Sequence, residues 1–234
     1  MPYLPAIEIE PTLPATAAII WLHGLGADGH DFAPIVPELR LPKDLAVRFI
    51  FPHAPSIPVT INNGFVMPAW YDILAMDIDR KVDEVQLRAS AAAITQLIER
   101  EIERGIDSRR IILAGFSQGG AVNYEAALSY SKPLGGLLAL STYFATADSI
   151  KPHPANQQLP IQVYHGSLDP VAPPALGQLS ITRLKALGYR PEFQSYSMEH
   201  AVCPEQIRHI GNWISEQLTA KNDSGRAALT EPGS

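Results

Sequence analysis

Short apolar runs recur along the chain and predict the strands of a buried sheet. The first run, TAAIIWL, is continuous, apolar and contains adjacent isoleucines, as strands covered on both faces do. Further runs of similar length come after it, each separated from the next by a polar or amphipathic stretch. The predicted strands are 16–22, 45–51, 109–116, 135–141, 159–166 and 191–197.

Amphipathic stretches between these runs predict helices. Residues 83–104 repeat isoleucine and leucine at helical spacing, and Gly105 is placed to end that helix. Another helix is expected to begin directly after Ser117. The two remaining helices are predicted at 174–187 and 204–218.

Strands and helices alternate over the whole chain, with no internal repeat and no linker between them. This order predicts an α/β fold with a mostly parallel, doubly wound sheet and helices on both faces. We expect one domain over 1–218, irregular structure over 1–15, and a disordered polar tail at 219–234. The long excursion at 52–82 is rich in proline and asparagine, and loops of this length are usually functional.

Composition narrows the class of protein. The chain has 234 residues, of which 46% are hydrophobic and 18% charged, and its net charge is −6. An acidic chain offers no basic stripe for phosphates, so no nucleic-acid partner is expected. The only cysteine is Cys203, and no H-E-x-x-H or similar spacing occurs, so no metal site is predicted. No signal peptide or membrane span is evident, which favours a cytoplasmic protein.

The segment GLGADG, residues 24–29, matches the dinucleotide-binding pattern G-x-G-x-x-G after a predicted strand. That pattern also needs an acidic residue about 20 positions further on to bind the ribose. Here the second strand ends FIFPHAP, without a carboxylate, and Pro34 and Pro37 interrupt the helix that would receive the pyrophosphate. A nicotinamide oxidoreductase is therefore the less favoured alternative.

The segment GFSQGG places Ser117 in a G-x-S-x-G motif between a predicted strand and a predicted helix. A serine on such a tight turn projects its hydroxyl from the edge of the sheet, as a nucleophile must. The positive end of the helix dipole also lies close to any anion that forms there. The alternative is an ordinary strand-to-helix turn whose serine caps the helix.

A serine nucleophile needs a base and an acid that orients the base. Asp169 comes after one later strand in HGSLDPVAP, and His200 comes after the last strand in SMEHAVCP. Parallel strands all end at one edge, so both loops are expected beside Ser117. Asp148 is a less favoured acid. We expect His165 and His209 to be structural. His53 and His153 have no partner motif.

Attack on a carbonyl creates an oxyanion that needs N–H donors. The backbone N–H of Gln118, directly after the nucleophile, is one candidate donor. The Leu25 N–H, in the turn HGLG, is the other, because the flanking glycines let this peptide turn inward. His23 is expected to support that turn rather than to carry protons.

These motifs together resemble the phospholipase/carboxylesterase family, a group of compact α/β-hydrolases that includes bacterial carboxylesterases and acyl-protein thioesterases. The resemblance runs from about Ala17 to Leu218. It rests on WLHGLGADG, PHAP, PVTINNGFVMPAWYD, RRIILAGFSQGGA, HGSLDPVAP and the EH before the last helix. It implies an α/β-hydrolase fold without a large cap domain. It also implies a catalytic triad and two oxyanion donors, namely Ser117, Asp169 and His200 with Leu25 and Gln118.

The resemblance further implies a serine carboxylesterase that works through an acyl-enzyme and needs no cofactor. Small esters, lysophospholipids and acylated protein thioesters stay open as substrates, and a homodimer stays open as the assembly. Met67 and Trp70 are candidates for lining the acyl pocket, with core packing as the alternative. Glu199 stands where the family usually has a small residue, and we expect it to point into solvent. The alternative is that its carboxylate raises the pKa of His200 or disfavours anionic substrates. An inactive binding module would need a broken triad, and every triad position is filled.

Overall fold

A computed structural model describes residues 3–76 and 80–227, with side chains as far as Thr219. Its strands are β1 (Ala6–Ile9), β2 (Ala17–Leu22), β3 (Val47–Pro52), β4 (Ser56–Val59), β5 (Phe65–Pro68), β6 (Ile73–Ala75), β7 (Lys81–Val82), β8 (Ile111–Phe116), β9 (Gly136–Leu140), β10 (Ile161–Gly166) and β11 (Glu192–Tyr196). Its α-helices are α1 (Glu84–Glu103), α2 (Gln118–Ser129), α3 (Pro174–Ala186) and α4 (Pro204–Ala227). None of the helices described is long and apolar enough to cross a bilayer.

A seven-stranded sheet forms the centre of the fold, in the order β1-β3-β2-β8-β9-β10-β11. Its strands are parallel except β1, which pairs antiparallel with β3. The prediction of a mostly parallel, doubly wound sheet is confirmed. Because the parallel strands all end at one edge, the loops after β2, β8, β10 and β11 meet there.

Helices cover both faces of the sheet. One apolar cluster joins α1, α2 and α3 to one face, and a second joins α4 and a 3-10 segment, Ala33–Leu39, to the other. The central strands β2, β8, β9 and β10 are buried along almost their whole length, which explains their continuous apolar sequences.

Helix α1 begins and ends where the sequence predicts. The Asp83 side chain accepts a hydrogen bond from the Gln86 N–H and so caps the first turn. Gly105 lies just past the last turn with φ +97°, a conformation that costs glycine little. The amphipathic pattern therefore located both the helix and its termini.

Two segments differ from expectation. Residues 1–15 contain β1, whose Ile7 and Ile9 pack toward the core while Glu8 binds Arg104. An edge strand with one partner has alternating rather than continuous apolar residues, and the surrounding prolines hid this pattern. The excursion 52–82 is also more regular than expected, since it contains the ribbons β4–β5 and β6–β7.

The C-terminal end differs as well. Helix α4 continues to Ala227, nine residues beyond the predicted boundary at 218. This extension contains no proline, so nothing interrupts the backbone hydrogen bonds of a helix that has already formed. The rest of the predicted tail, 228–234, lies outside the described residues.

Candidate active site

Ser117 occupies a strained turn between β8 and α2. Its φ is +53° and its ψ is −119°, a backbone conformation that non-glycine residues rarely adopt. Such strain costs about 1–3 kcal/mol and persists only where the surrounding structure enforces it. The turn projects the Ser117 side chain at the carboxyl edge of the sheet, as the G-x-S-x-G motif predicts.

Two glycines explain why this turn can be so tight. A Cβ atom at Gly115 would lie 2.6 Å from the carbonyl carbon of Gly119. A Cβ atom at Gly119 would lie 2.6 Å from the carbonyl oxygen of His23. The strand, the helix and the loop after β2 therefore approach one another closely only because neither position carries a side chain.

The structure brings Ser117, His200 and Asp169 into one hydrogen-bonded chain. The His200 Nε2 atom lies 3.0 Å from the Ser117 Oγ atom. The His200 Nδ1 atom lies 2.7 Å from the Asp169 Oδ2 atom. A neutral imidazole that donates from Nδ1 to the carboxylate leaves Nε2 free to accept the serine proton.

The Asp169 carboxylate is buried and fixed by its own loop. Its Oδ1 atom accepts hydrogen bonds from the backbone N–H groups of Val171, at 2.9 Å, and Ala172, at 2.8 Å. Its second oxygen is left for His200. The loop thus presents one carboxylate oxygen in a fixed direction, which defines the tautomer and orientation of the imidazole.

The N–H groups of Leu25 and Gln118 are available for a bound oxyanion. Within the described residues, neither N–H donates to another protein group. Both residues line the cavity that contains Ser117 and His200. The loop that carries Leu25 is held in place by Gly26, whose N–H donates to the Pro68 carbonyl at 2.8 Å.

His23 orients the peptide that carries the Leu25 N–H. Its Nε2 atom accepts from the Ala54 N–H at 3.1 Å, so its Nδ1 carries the proton and donates to the Gly24 carbonyl at 2.7 Å. The Gly24 carbonyl and the Leu25 N–H belong to one peptide plane and point in opposite directions. Fixing the carbonyl therefore fixes the N–H, which is the supporting role expected for His23.

A cavity of about 370 Å³ lies over Ser117 and His200. A larger groove of about 640 Å³ shares Arg80 and Tyr143 with it but contains none of the three hydrogen-bonded residues, so the chemistry selects the smaller cavity. The apolar side chains around that smaller cavity come from several separate loops. They include Leu25, Ile61, Ile73, Met76, Phe116 and Val171.

The structure does not place Met67 and Trp70 in this cavity. Trp70 is only 1% exposed and packs behind the site, with its ring 5.0 Å from the His23 ring. The Met67 sulfur accepts from the Asn62 side chain and faces Gly26. Trp70 therefore takes the alternative of core packing, because the excursion folds as two ribbons that turn other side chains toward Ser117. An acyl-pocket role for Met67, whose side chain is half-buried, stays a prediction. Sequence spacing gave no signal for Ile61, Ile73 or Met76.

Within the described residues, none of the remaining sequence candidates is hydrogen-bonded to Ser117 or His200. Asp148 forms an ion pair with Arg183, 2.5 Å between charged atoms, so it does not compete for His200. His209, on α4, bonds the Tyr196 hydroxyl at the end of β11. His165 is fully buried at the end of β10, with its Nε2 atom 3.8 Å from the Asp169 Oδ2 atom. Glu199 is exposed, as expected.

The glycine loop contacts the sheet rather than an α-helix. Gly29 packs directly against the Phe51 carbonyl, and its N–H donates to the His53 Nδ1 atom at 3.1 Å. Asp28, His30 and His53 have potential ligand atoms within 4.8 Å of one another, but Asp28 already bonds His30. The loop leads into the 3-10 segment Ala33–Leu39, which lacks the long N-terminal dipole that a pyrophosphate needs.

The sequence and the fold of this chain have close counterparts among known proteins. The sequence profile of the phospholipase/carboxylesterase family matches residues 5–218. The chain belongs to the phospholipase/carboxylesterase family. It is therefore a serine hydrolase of carboxylic esters or thioesters, and the described part of its α/β-hydrolase fold contains no large cap.

Individual members of the family support this assignment. The chain is 40% identical over 218 residues to acyl-protein thioesterase 1 of Gibberella zeae, covering 88% of this chain and 93% of that protein. The crystal structure of Zea mays acyl-protein thioesterase 2 is 30% identical with a TM-score of 0.82, covering 92% of this chain and all of that one. Arabidopsis thaliana SOBER1 is 30% identical with a TM-score of 0.81, covering 86% and 99%.

Because two histidines are buried, we expect the protein to lose stability in mild acid. Burial lowers the pKa of His23 and of His165, whose Nε2–H donates to the Ala172 carbonyl at 2.7 Å. Between the lowered pKa and the ordinary value near 6.5, the unfolded chain binds more protons than the folded one. The contribution of these neutral histidines to the free energy of unfolding is therefore complete above that ordinary value, and it is lost as the pH falls below it.

Urea denaturation at pH 7.5 and pH 5.5 measures this loss. The free energy of unfolding should fall by up to about 1.4 kcal/mol per pH unit for each histidine that stays neutral. In His165→Gln the amide can still donate to Ala172 but cannot titrate, so the pH dependence should be smaller. An equal pH dependence in the two proteins would contradict the role of His165.

Proposed function

We propose that Ser117, His200 and Asp169 form a catalytic triad that hydrolyses acyl esters and thioesters. The observation that carries this proposal is the continuous hydrogen-bonded chain from Ser117 Oγ through His200 to Asp169. His200 takes the proton as Ser117 Oγ attacks the acyl carbonyl carbon. Asp169 holds the imidazole in the required tautomer and stabilises the imidazolium that forms.

The two peptide donors act on the tetrahedral intermediate. The N–H groups of Leu25 and Gln118 receive the oxyanion, and each such donor contributes roughly 3–4 kcal/mol to a transition state of this type. As the intermediate collapses, His200 gives its proton to the leaving alkoxide or thiolate. Water then attacks the acyl-enzyme by the same route and releases the acid and the free serine.

An acyl group on a protein cysteine is the substrate class that we favour. Its support is the identity of 36–40% to proteins named acyl-protein thioesterase 1, with nearly their whole length covered. The apolar cavity beside Ser117 suits an acyl chain, and its opening to solvent suits a leaving group that belongs to a larger molecule. Small esters and lysophospholipids are the competing substrates. A cytoplasmic location and a homodimer stay predictions. We also expect a preference for short or medium acyl chains.

The experiment compares one acyl chain on three leaving groups. The kcat/KM for an S-acylated cysteine peptide should exceed those for the p-nitrophenyl ester and the lysophospholipid by on the order of tenfold. Rapid-quench mass spectrometry of each reaction should find the acyl group on Ser117. A higher kcat/KM for the lysophospholipid would change the substrate class, and an acyl group on another residue would refute the mechanism.

A further inference from the structure

Trp70 is bound at three points although it does not line the cavity. Its indole Nε1–H donates to the His23 carbonyl at 2.9 Å, and its backbone N–H donates to the Gln118 Oε1 atom at 2.8 Å. Its own carbonyl accepts a hydrogen bond from the Ser90 hydroxyl on α1. The residue is thus held between the loop after β2, the start of α2 and helix α1.

The Gln118 side chain completes this connection. While its Oε1 atom accepts from Trp70, its Nε2–H donates to the Tyr71 carbonyl at 2.6 Å. The side chain is 1% exposed, so both polar ends are buried and both are satisfied. The backbone N–H of the same residue is the one that faces the cavity.

We propose that Trp70 is a positioning residue that sets the separation of the two oxyanion donors. Through Gln118 it fixes the first turn of α2, and through His23 it fixes the residue before the Gly24–Leu25 peptide. The two N–H groups come from chain segments more than ninety positions apart, and Trp70 is hydrogen-bonded to both segments. This inference rests on the proposed function, because it assumes that these N–H groups receive the oxyanion.

The physical reason is preorganisation. A donor aimed at the developing charge lowers the barrier only if it need not reorient during the reaction. A small displacement of either N–H weakens binding of the oxyanion much more than binding of the neutral substrate. Loss of the bridge should therefore lower kcat and leave KM almost unchanged.

The test uses Trp70→Phe, which keeps an aromatic ring but removes the Nε1–H, and Gln118→Met, which keeps the backbone N–H but removes both side-chain bonds. Each variant should lower kcat on the order of tenfold, with KM within about twofold of wild type. Affinity for an acyl trifluoromethyl ketone, whose adduct with serine carries an oxyanion, should fall by the same factor as kcat/KM. The ratio of kcat/KM between short and long acyl chains should not change.

Asn156 supplies a matched control far from the site. Its buried amide accepts from the Leu134 N–H and donates to the carbonyls of Tyr130 and Lys132, all at 2.9 Å. Asn156→Leu should lower the melting temperature and leave kcat and ketone affinity unchanged, which separates lost stability from lost positioning.

Any of the following outcomes would overturn the inference that Trp70 positions the two donors. A changed acyl-chain preference in Trp70→Phe with unchanged kcat would mean that Trp70 lines the acyl site. A fall in melting temperature alone would make the bridge merely structural, and an equal fall of kcat in Asn156→Leu would make the effect general. A wild-type protein without acylation of Ser117 would refute the proposed function itself, and this inference with it.

Discussion

The Ser117→Ala variant should retain its fold and lose about 10⁶-fold in kcat for ester hydrolysis. Alanine removes the only atom of the proposed triad that can form the acyl bond, while His200 and Asp169 keep their mutual hydrogen bond at 2.7 Å. The residual rate would come from the oxyanion donors and from substrate binding alone. Hydrolysis of a p-nitrophenyl acyl ester, monitored by absorbance at saturating substrate, measures the loss.

Ser141 provides the matched control for this variant. It lies directly after the neighbouring strand β9, is fully buried, and has a positive φ of 45° like Ser117. Ser141→Ala removes a hydroxyl of the same kind from the same edge of the sheet, and it should leave kcat within about twofold, as most substitutions away from the reacting groups do. Equal activity of Ser117→Ala and wild type would refute the assigned nucleophile.

The Asp169→Asn variant should lower kcat by about 10⁴-fold. Asparagine can still accept from Val171 and Ala172 through one oxygen, so the loop is expected to keep its shape. Its amide, however, donates to His200 Nδ1, and the imidazole proton must then lie on Nε2. That tautomer cannot accept the Ser117 proton, so the base is lost although each residue stays in place.

Asp148→Asn tests the alternative acid. The Arg183 side chain holds the pKa of this exposed carboxyl below its usual range, and the pair lies outside the catalytic cavity. We expect its kcat to equal that of wild type in the same assay. A large loss in Asp148→Asn with little loss in Asp169→Asn would reverse the assignment made on geometry.

The sequence motifs located the site residues that lie in loops directly after strands. Ser117, Asp169 and His200 each come after a strand whose apolar run is easy to recognise, and parallel topology brings such loops together without further information. The place of Gln118 directly after Ser117 predicts that its N–H receives the oxyanion. Helix α1 was predicted from isoleucine and leucine at helical spacing, with Gly105 marking its end.

The residues that the sequence did not locate depend on the path of 52–82. The positions of the β4–β5 and β6–β7 ribbons over the sheet edge decide whether Trp70 or Ile73 faces Ser117. No periodic pattern of apolar residues predicts these positions. Strand β1 was missed for a related reason. Glu8 and the adjoining Glu10 are charged, so in the sequence this segment resembles a loop. In the structure they form ion pairs with Arg104 and Arg48.

The separation of Trp70 from the cavity has a consequence for directed evolution of this enzyme. The side chains that would contact an acyl chain, such as Ile61 and Met76, are not among those that we propose to hold the oxyanion donors. A library that randomises these cavity positions can therefore alter substrate scope while the rate of the chemical step is kept. Randomising Trp70 or Gln118 would instead lower turnover for every substrate at once.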